Sequence, residues 1–193
     1  AGDTLLVGAS GGDGAVAGSG SAYVFVRSAG VWTEEQELEA GDGAWGDAFG
    51  RSVALSGEAA IVGSPEDDDV GEASGAAYHF SRSAGVWSEG AKIHAADAAA
   101  EDRFGHSVSL SAETALVGAP SEDEGGLWAG AAYAFVWTGG AWSEEQKLTG
   151  AANAVFDHFG WSAAMTEDTL LVSAPHDGGG YTSGSVYVFV RSG

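Results

Sequence analysis

Cysteine is absent from this 193-residue chain, which excludes a disulfide framework, thiolate catalysis and thiolate metal ligation. Proline is scarce, with only three residues, Pro65, Pro120 and Pro175. Cationic side chains are few: seven Lys and Arg stand against 28 Asp and Glu, for a formal charge of −21. Nucleic acid and anionic membrane surfaces are therefore poor partners, because both need clustered Lys and Arg. The balance suits cation binding, a basic partner, high salt or plain solubility. No apolar run reaches the roughly 18 residues needed to insert across a bilayer as a helix. No segment sustains a helical apolar period either. The chain opens at Ala1 with neither Met nor a signal pattern, which reads as a processed or excised start.

What is abundant is glycine, with 32 residues, beside an apolar fraction of 45%. Without a G-X-Y period this composition means many tight turns between short strands. The chain also repeats. Phe49-Gly50, Phe104-Gly105 and Phe159-Gly160 recur every 55 residues, and Trp32, Trp87 and Trp142 keep the same spacing. So do Ser10, Pro65, Pro120 and Pro175, and Tyr23, Tyr78 and Tyr133, with Tyr187 one residue early. Several marker sets in one phase identify a repeat architecture.

One period reads as four strands: 49–56, 59–64, 76–82 and 86–93. Hairpin-length turns such as Ser56-Gly57-Glu58 join the first two, so each unit is expected to be an antiparallel meander. The third strands, Tyr23-Val24-Phe25-Val26 and Tyr187-Val188-Phe189-Val190, are apolar on both faces. Both faces must then be covered, as in a propeller blade held between two neighbours. The expected fold is all-β, with a partial first blade over 1–40, full blades over 49–95 and 104–150, and a partial fourth over 159–193.

The motifs FGHSVSL, TALVGAP and GAAYAF between Phe104 and Phe135 resemble the FG-GAP repeat of integrin α-chain propellers and bacterial surface proteins. The copies starting at Phe49 and Phe159 carry the same frame, so the resemblance spans essentially the whole chain. It implies a propeller of about seven blades, of which about 3.5 repeats are present, used for adhesion or ligand recognition at a bacterial cell surface or outside the cell. Integrin-type repeats carry a D-x-D-x-D-G calcium loop after the FG strand. Only three-residue turns stand there in this chain, so that site does not carry over. The partial end blades leave strand edges open to further blades or to self-association into a ring or fibre.

In such a meander the 2–3 loops and the 4–1 connections share one rim, and most of the acidic residues fall there. Calcium is the ion this rim would bind, through Asp67, Asp68, Asp69, Glu122, Asp123, Glu124 and the phase-matched Asp177. A solvated acidic loop is the competing reading. Asp47, Asp102 and Asp157, each two residues before a Phe, fit turn closure onto backbone N–H groups. Trp45, Trp128, Trp161 and Tyr181 break the repeat and fall on or beside the same rim. Rigid rings of this kind suit a protein or glycan ligand, and gap filling between unequal loops suits them equally.

Catalytic patterns do not survive inspection. Gly8-x-Ser10-x-Gly12 matches the hydrolase nucleophile string, but Ser10 occupies the proline slot of the repeat and no helical pattern follows. The five histidines share no phase and form no H-E-x-x-H pair. The chain is expected to bind, not to catalyse.

Overall fold

A computed structural model describes residues 2–177 and 183–191, which form fourteen strands in four separate sheets. The first sheet holds β1 (Thr4–Ala9), β2 (Ser21–Ser28) and β3 (Val31–Leu38). The second holds β4 (Ser52–Ser56), β5 (Ala59–Ser64), β6 (Ala76–Ser83) and β7 (Val86–Ile93). The third runs through β8 (Ser107–Ser111), β9 (Thr114–Ala119), β10 (Ala131–Trp137) and β11 (Trp142–Leu148). The fourth contains β12 (Ala163–Met165), β13 (Thr169–Ala174) and β14 (Ser185–Val190). Each sheet is an antiparallel meander in chain order, as expected of stacked propeller blades. Among the described residues no helix is long and apolar enough to cross a membrane.

The period-2 pattern explains the stacking. On β5, Val62 faces back and joins Leu6, Val24 and Tyr78 in one core. Its neighbour Ile61 faces forward and joins Val117, Tyr133 and Phe135 in the next. A third core sets Leu116 and Leu148 against Phe159 and Val172. Successive residues thus serve successive junctions, which is why these strands are apolar throughout. Phe49, Phe104 and Phe159 are fully buried at the three junctions. Each meets a Tyr ring, edge-on for Phe49 with Tyr78 and Phe159 with Tyr187, and tilted for Phe104, centred 5.6 Å from Tyr133. Burying each of these rings contributes roughly 2–3 kcal/mol. The outward faces of the two three-stranded sheets remain apolar and open, with Leu5 and Val7 on one and Val186, Val188 and Val190 on the other.

The sequence places the Phe-Gly pair inside the first strand of each unit, but that strand begins three residues later, at Ser52 in the second sheet. Gly50 adopts φ 86, outside the extended region, and this breaks the strand path. The same kink recurs at Gly105 and Gly160 and brings one backbone onto the next. A Cβ on Gly63 would lie 1.9 Å from the Gly105 carbonyl oxygen, and one on Gly118 would lie 2.0 Å from that of Gly160. Gly105 N–H also donates to Gly118 O at 3.1 Å, tying the kink to the following sheet. The conformation and the close approach together explain why glycine holds both positions.

Candidate functional site

The rim built from the 2–3 loops and the 4–1 connections carries two kinds of feature. The first is a pair of carboxylate clusters, each closed by a lysine. Lys92 on β7 places its Nζ 2.8 Å from Asp42, 2.8 Å from Asp67 and 2.5 Å from Asp69. It also lies over the Tyr78 ring, 5.0 Å from the centroid. Lys147 on β11 repeats this with Asp97 at 2.6 Å, Glu122 at 3.1 Å and Glu124 at 2.7 Å, over Tyr133. Burial opposes the charge on Lys147, and hydrogen bonds to Asp97, Glu124 and Glu122 outweigh it, so the ammonium is held above its ordinary range. Three segments distant in sequence converge here: the connection entering the blade, the 2–3 loop and the fourth strand.

Asp97, Glu122 and Glu124 bring carboxylate oxygens within 4.8 Å of one another and could hold a metal ion, and the Lys147 ammonium sits among them. The remaining acids chosen from sequence have other local contacts. Asp68 accepts from Ala73 N–H at 2.7 Å and so closes its own loop. Asp123 accepts from Gly126 N–H through its main-chain carbonyl at 2.9 Å. Asp177 accepts from the Tyr187 hydroxyl at 2.5 Å.

The second feature is aromatic. Trp128 and Trp161 are brought together by a residue that sequence reasoning did not select. His158 lies between them, 5.7 Å from each ring. Phe156 stacks edge-on to Trp128 at 5.4 Å, and His106 lies 4.7 Å from Trp161. His158 Nδ1 is 3.1 Å from Pro120 O, and His106 Nδ1 is 3.2 Å from Trp161 O. Each ring therefore donates its Nδ1–H, and burial lowers both pKa values, which keeps the imidazoles neutral. Trp128, Phe156 and Trp161 are all more than a third exposed. Trp45 stands apart and highly exposed, beside Gly18, at a separate cavity of about 260 Å³ lined by Glu66, Asp68 and Glu101. Tyr181 lies outside the described residues.

Backbone conformation singles this patch out. Besides the two places that are glycine in every repeat, at Gly20, Gly75 and Gly130 and at Gly50, Gly105 and Gly160, the rim loops hold left-handed residues at three recurring places, seen as Gly18, Ala73 and Trp128; as Gly46, Glu101 and Phe156; and as Ala48, Arg103 and His158. Only at the junction of the third and fourth sheets are all three filled by bulky rings. Positive φ is unfavourable for Trp128 and Phe156, at a cost of order 1 kcal/mol or more each, while histidine adopts it more readily. Packing alone gives no reason to place three such rings side by side at the surface.

The Asp residues preceding each Phe-Gly pair close turns. Asp47, Asp102 and Asp157 accept from the N–H groups of Ala44, Ala99 and Ala154 at 2.6, 2.8 and 2.8 Å. Burial pushes the Asp102 carboxyl up to about 6, against the pull of the Ala99 N–H, with Glu122 and Asp123 adding to the rise. The unfolded carboxyl titrates near 3.9, so the folded state binds the proton more tightly. Ionisation above pH of about 6 therefore weakens the fold, and protonation relieves this as pH falls toward about 4. Asp102→Asn keeps an acceptor and removes the charge. It is expected to melt above the wild type at about pH 7.5, with a gap that narrows at about pH 5. Thermal melts at the two pH values check this, and a gap that widens on acidification contradicts it.

Comparison with known proteins gives one family. The sequence model described as the FG-GAP repeat matches residues 32–80, 87–135 and 142–189. No curated protein matches the chain.

Proposed function

The chain belongs to the FG-GAP repeat family, and from that premise we propose that it is a non-enzymatic, extracellular binding module that takes a protein or glycan ligand at the aromatic patch of its acidic rim. Repeats of this family are found in adhesion and binding proteins outside cells. The observation that carries the reading is Trp128 and Phe156 held at positive φ beside His158 and Trp161, with the Trp128, Phe156 and Trp161 rings open to solvent. Strain that packing does not require points to a surface maintained for recognition. Neutral imidazoles and indoles offer flat apolar contact, and the surrounding carboxylates favour a neutral or cationic ligand.

Calcium, the ion expected from the sequence, would have to share the Asp97, Glu122 and Glu124 trio with Lys147. Ligand binding at the aromatic patch is therefore read as independent of calcium. The exposed outer faces of the two three-stranded sheets fit a further blade, whichever chain supplies it.

Trp128→Gly tests the reading, because glycine relieves the φ of 55° while removing the ring. Against a printed panel of glycans and peptides, the wild type is expected to bind and the variant to lose about thirtyfold or more in affinity. Its melting temperature should stay close to that of the wild type. Retained binding, or no panel signal for the wild type, would sink the reading.

A further inference from the structure

We propose that the outer end of the junction between the second and third sheets is a second binding site, for a cationic peptide segment that presents a side-chain carboxamide. The repeat itself shows which chemistry this place requires. At the junction of the first and second sheets, the Gln36 amide clamps the main chain of Trp87. Gln36 Nε2 donates to Trp87 O at 2.8 Å, and Trp87 N–H donates to Gln36 Oε1 at 2.9 Å. Beside it, Trp87 Nε1 donates to Glu35 at 3.3 Å, and Arg82 pairs with the same carboxylate. The junction of the third and fourth sheets repeats the ion pair, with Arg191 2.8 Å from Glu145.

The middle junction lacks all three parts. Gly90, Ala91 and Trp137 stand one period along from Glu35, Gln36 and Arg82. Two cavities open on either side of Trp142, the residue equivalent to Trp87. One of about 360 Å³ is lined by His79, Gly90 and Trp137, and one of about 400 Å³ by Ala91 and Glu144. β10 and β11 meet with Trp137 opposite Trp142, the register in which β6 and β7 set Arg82 opposite Trp87. The Trp142 N–H and C=O are thereby turned outward, as those of Trp87 are, with no glutamine to meet them.

The local replacement does not restore the lost bonds. His79 is buried and stacks 4.8 Å from Trp137 and 5.7 Å from Trp142. Both His79 Nδ1 and Trp142 Nε1 are buried without a hydrogen-bond partner. Such orphaned groups are rare in native folds and mark a place where a partner belongs. A carboxamide supplies the donor and acceptor that Gln36 supplies in cis. Glu58, Glu113 and Glu144 line the openings, which disfavours a carboxylate and favours a cation. The indole faces add cation–π attraction for flanking Arg or Lys, and the net charge of −21 steers a basic segment inward.

The test uses the ¹⁵N-labelled chain and the peptide acetyl-Arg-Thr-Gln-Thr-Arg-amide, read at the Trp137 and Trp142 indole N–H signals assigned by Trp→Phe variants. Saturable shifts of both signals are expected, with about tenfold weaker binding when the peptide carries Leu in place of Gln. Ala91→Gln, which offers the carboxamide in cis, should melt higher and abolish the response. Trp137→Arg restores the residue of the repeat and should weaken the peptide as well. No shift at millimolar peptide, equal affinity for the Leu peptide, or undiminished binding by both variants overturns the proposal. So does saturation of the same signals by N,N′-diacetylchitobiose with none by the peptide, which would assign the site to an acetamido sugar.

Discussion

Lys147→Met is expected to cost the fold about 3 kcal/mol, because it leaves the buried Glu122 carboxylate facing Asp97 and Glu124 with no cation between them. The figure lies at the low end for a broken buried charge cluster, since the Asp97 and Glu124 side chains are 43% and 76% exposed and partly screened by solvent. At about 2–4 °C per kcal/mol for a chain of this size, the melting temperature should fall by roughly 10 °C. The same change vacates a three-carboxylate cluster whose oxygens lie within 4.8 Å of one another. Calcium should then bind the folded variant and restore part of the loss by mass action. Melting curves of the variant with calcium and with chelator check both halves. An unchanged melting temperature would show that the ammonium contributes little to the rim.

Gly118→Ala is expected to destabilise by about 3 kcal/mol or more, although it adds a single methyl group. The new Cβ would stand 2.0 Å from Gly160 O and 2.4 Å from Ser107 Oγ, and the nearer atom is backbone held at a sheet junction. Gly160 is held by its N–H bond to Ser173 O and Gly118 by the bond its carbonyl accepts from Gly105 N–H, so each side yields only by straining one of them. Gly140→Ala is the control, because a Cβ there meets nothing within 4 Å. Chemical denaturation of the two variants should show a large drop for the first and almost none for the second. Equal effects would mean that the junction is looser than its geometry implies.

Repetition made the architecture legible. The 55-residue period fixed the blade unit, and the two-faced apolar strands required a neighbour on each side. The junction glycines follow the same logic: Gly8, Gly63 and Gly118 each face a following sheet. Ser173 occupies that phase in the fourth sheet, where the described residues contain no following sheet. Strand starts were less legible, because the positive φ at the Phe-Gly kink is a tertiary requirement of the junction.

The lysine closures escaped a loop-by-loop reading for a related reason. Counting acids on loops left Lys92 and Lys147 on the fourth strand, between 23 and 50 residues from their partners. A comparison across repeats carries the signal. In the first unit the lysine phase holds Glu37, and the two loop-acid phases hold Gly12 and Gly14. Across the first three units, acid and lysine are thus present together or absent together. In the aromatic patch, Trp128 and Trp161 stood out as exceptions to the repeat, while His158 and Phe156 did not. Their meaning lies in backbone conformation, since they share phases with Ala48 and Gly46 and differ only in what they place at a left-handed position.

Lysine closes the rim's carboxylate clusters from within, so the wild type presents no vacant cluster to calcium. Calorimetric titration of calcium into the wild-type chain and into Lys147→Met tests it most directly. Little or no heat is expected from the wild type at millimolar calcium, and saturable binding from the variant. Tight calcium binding by the wild type, with no gain in the variant, would contradict it.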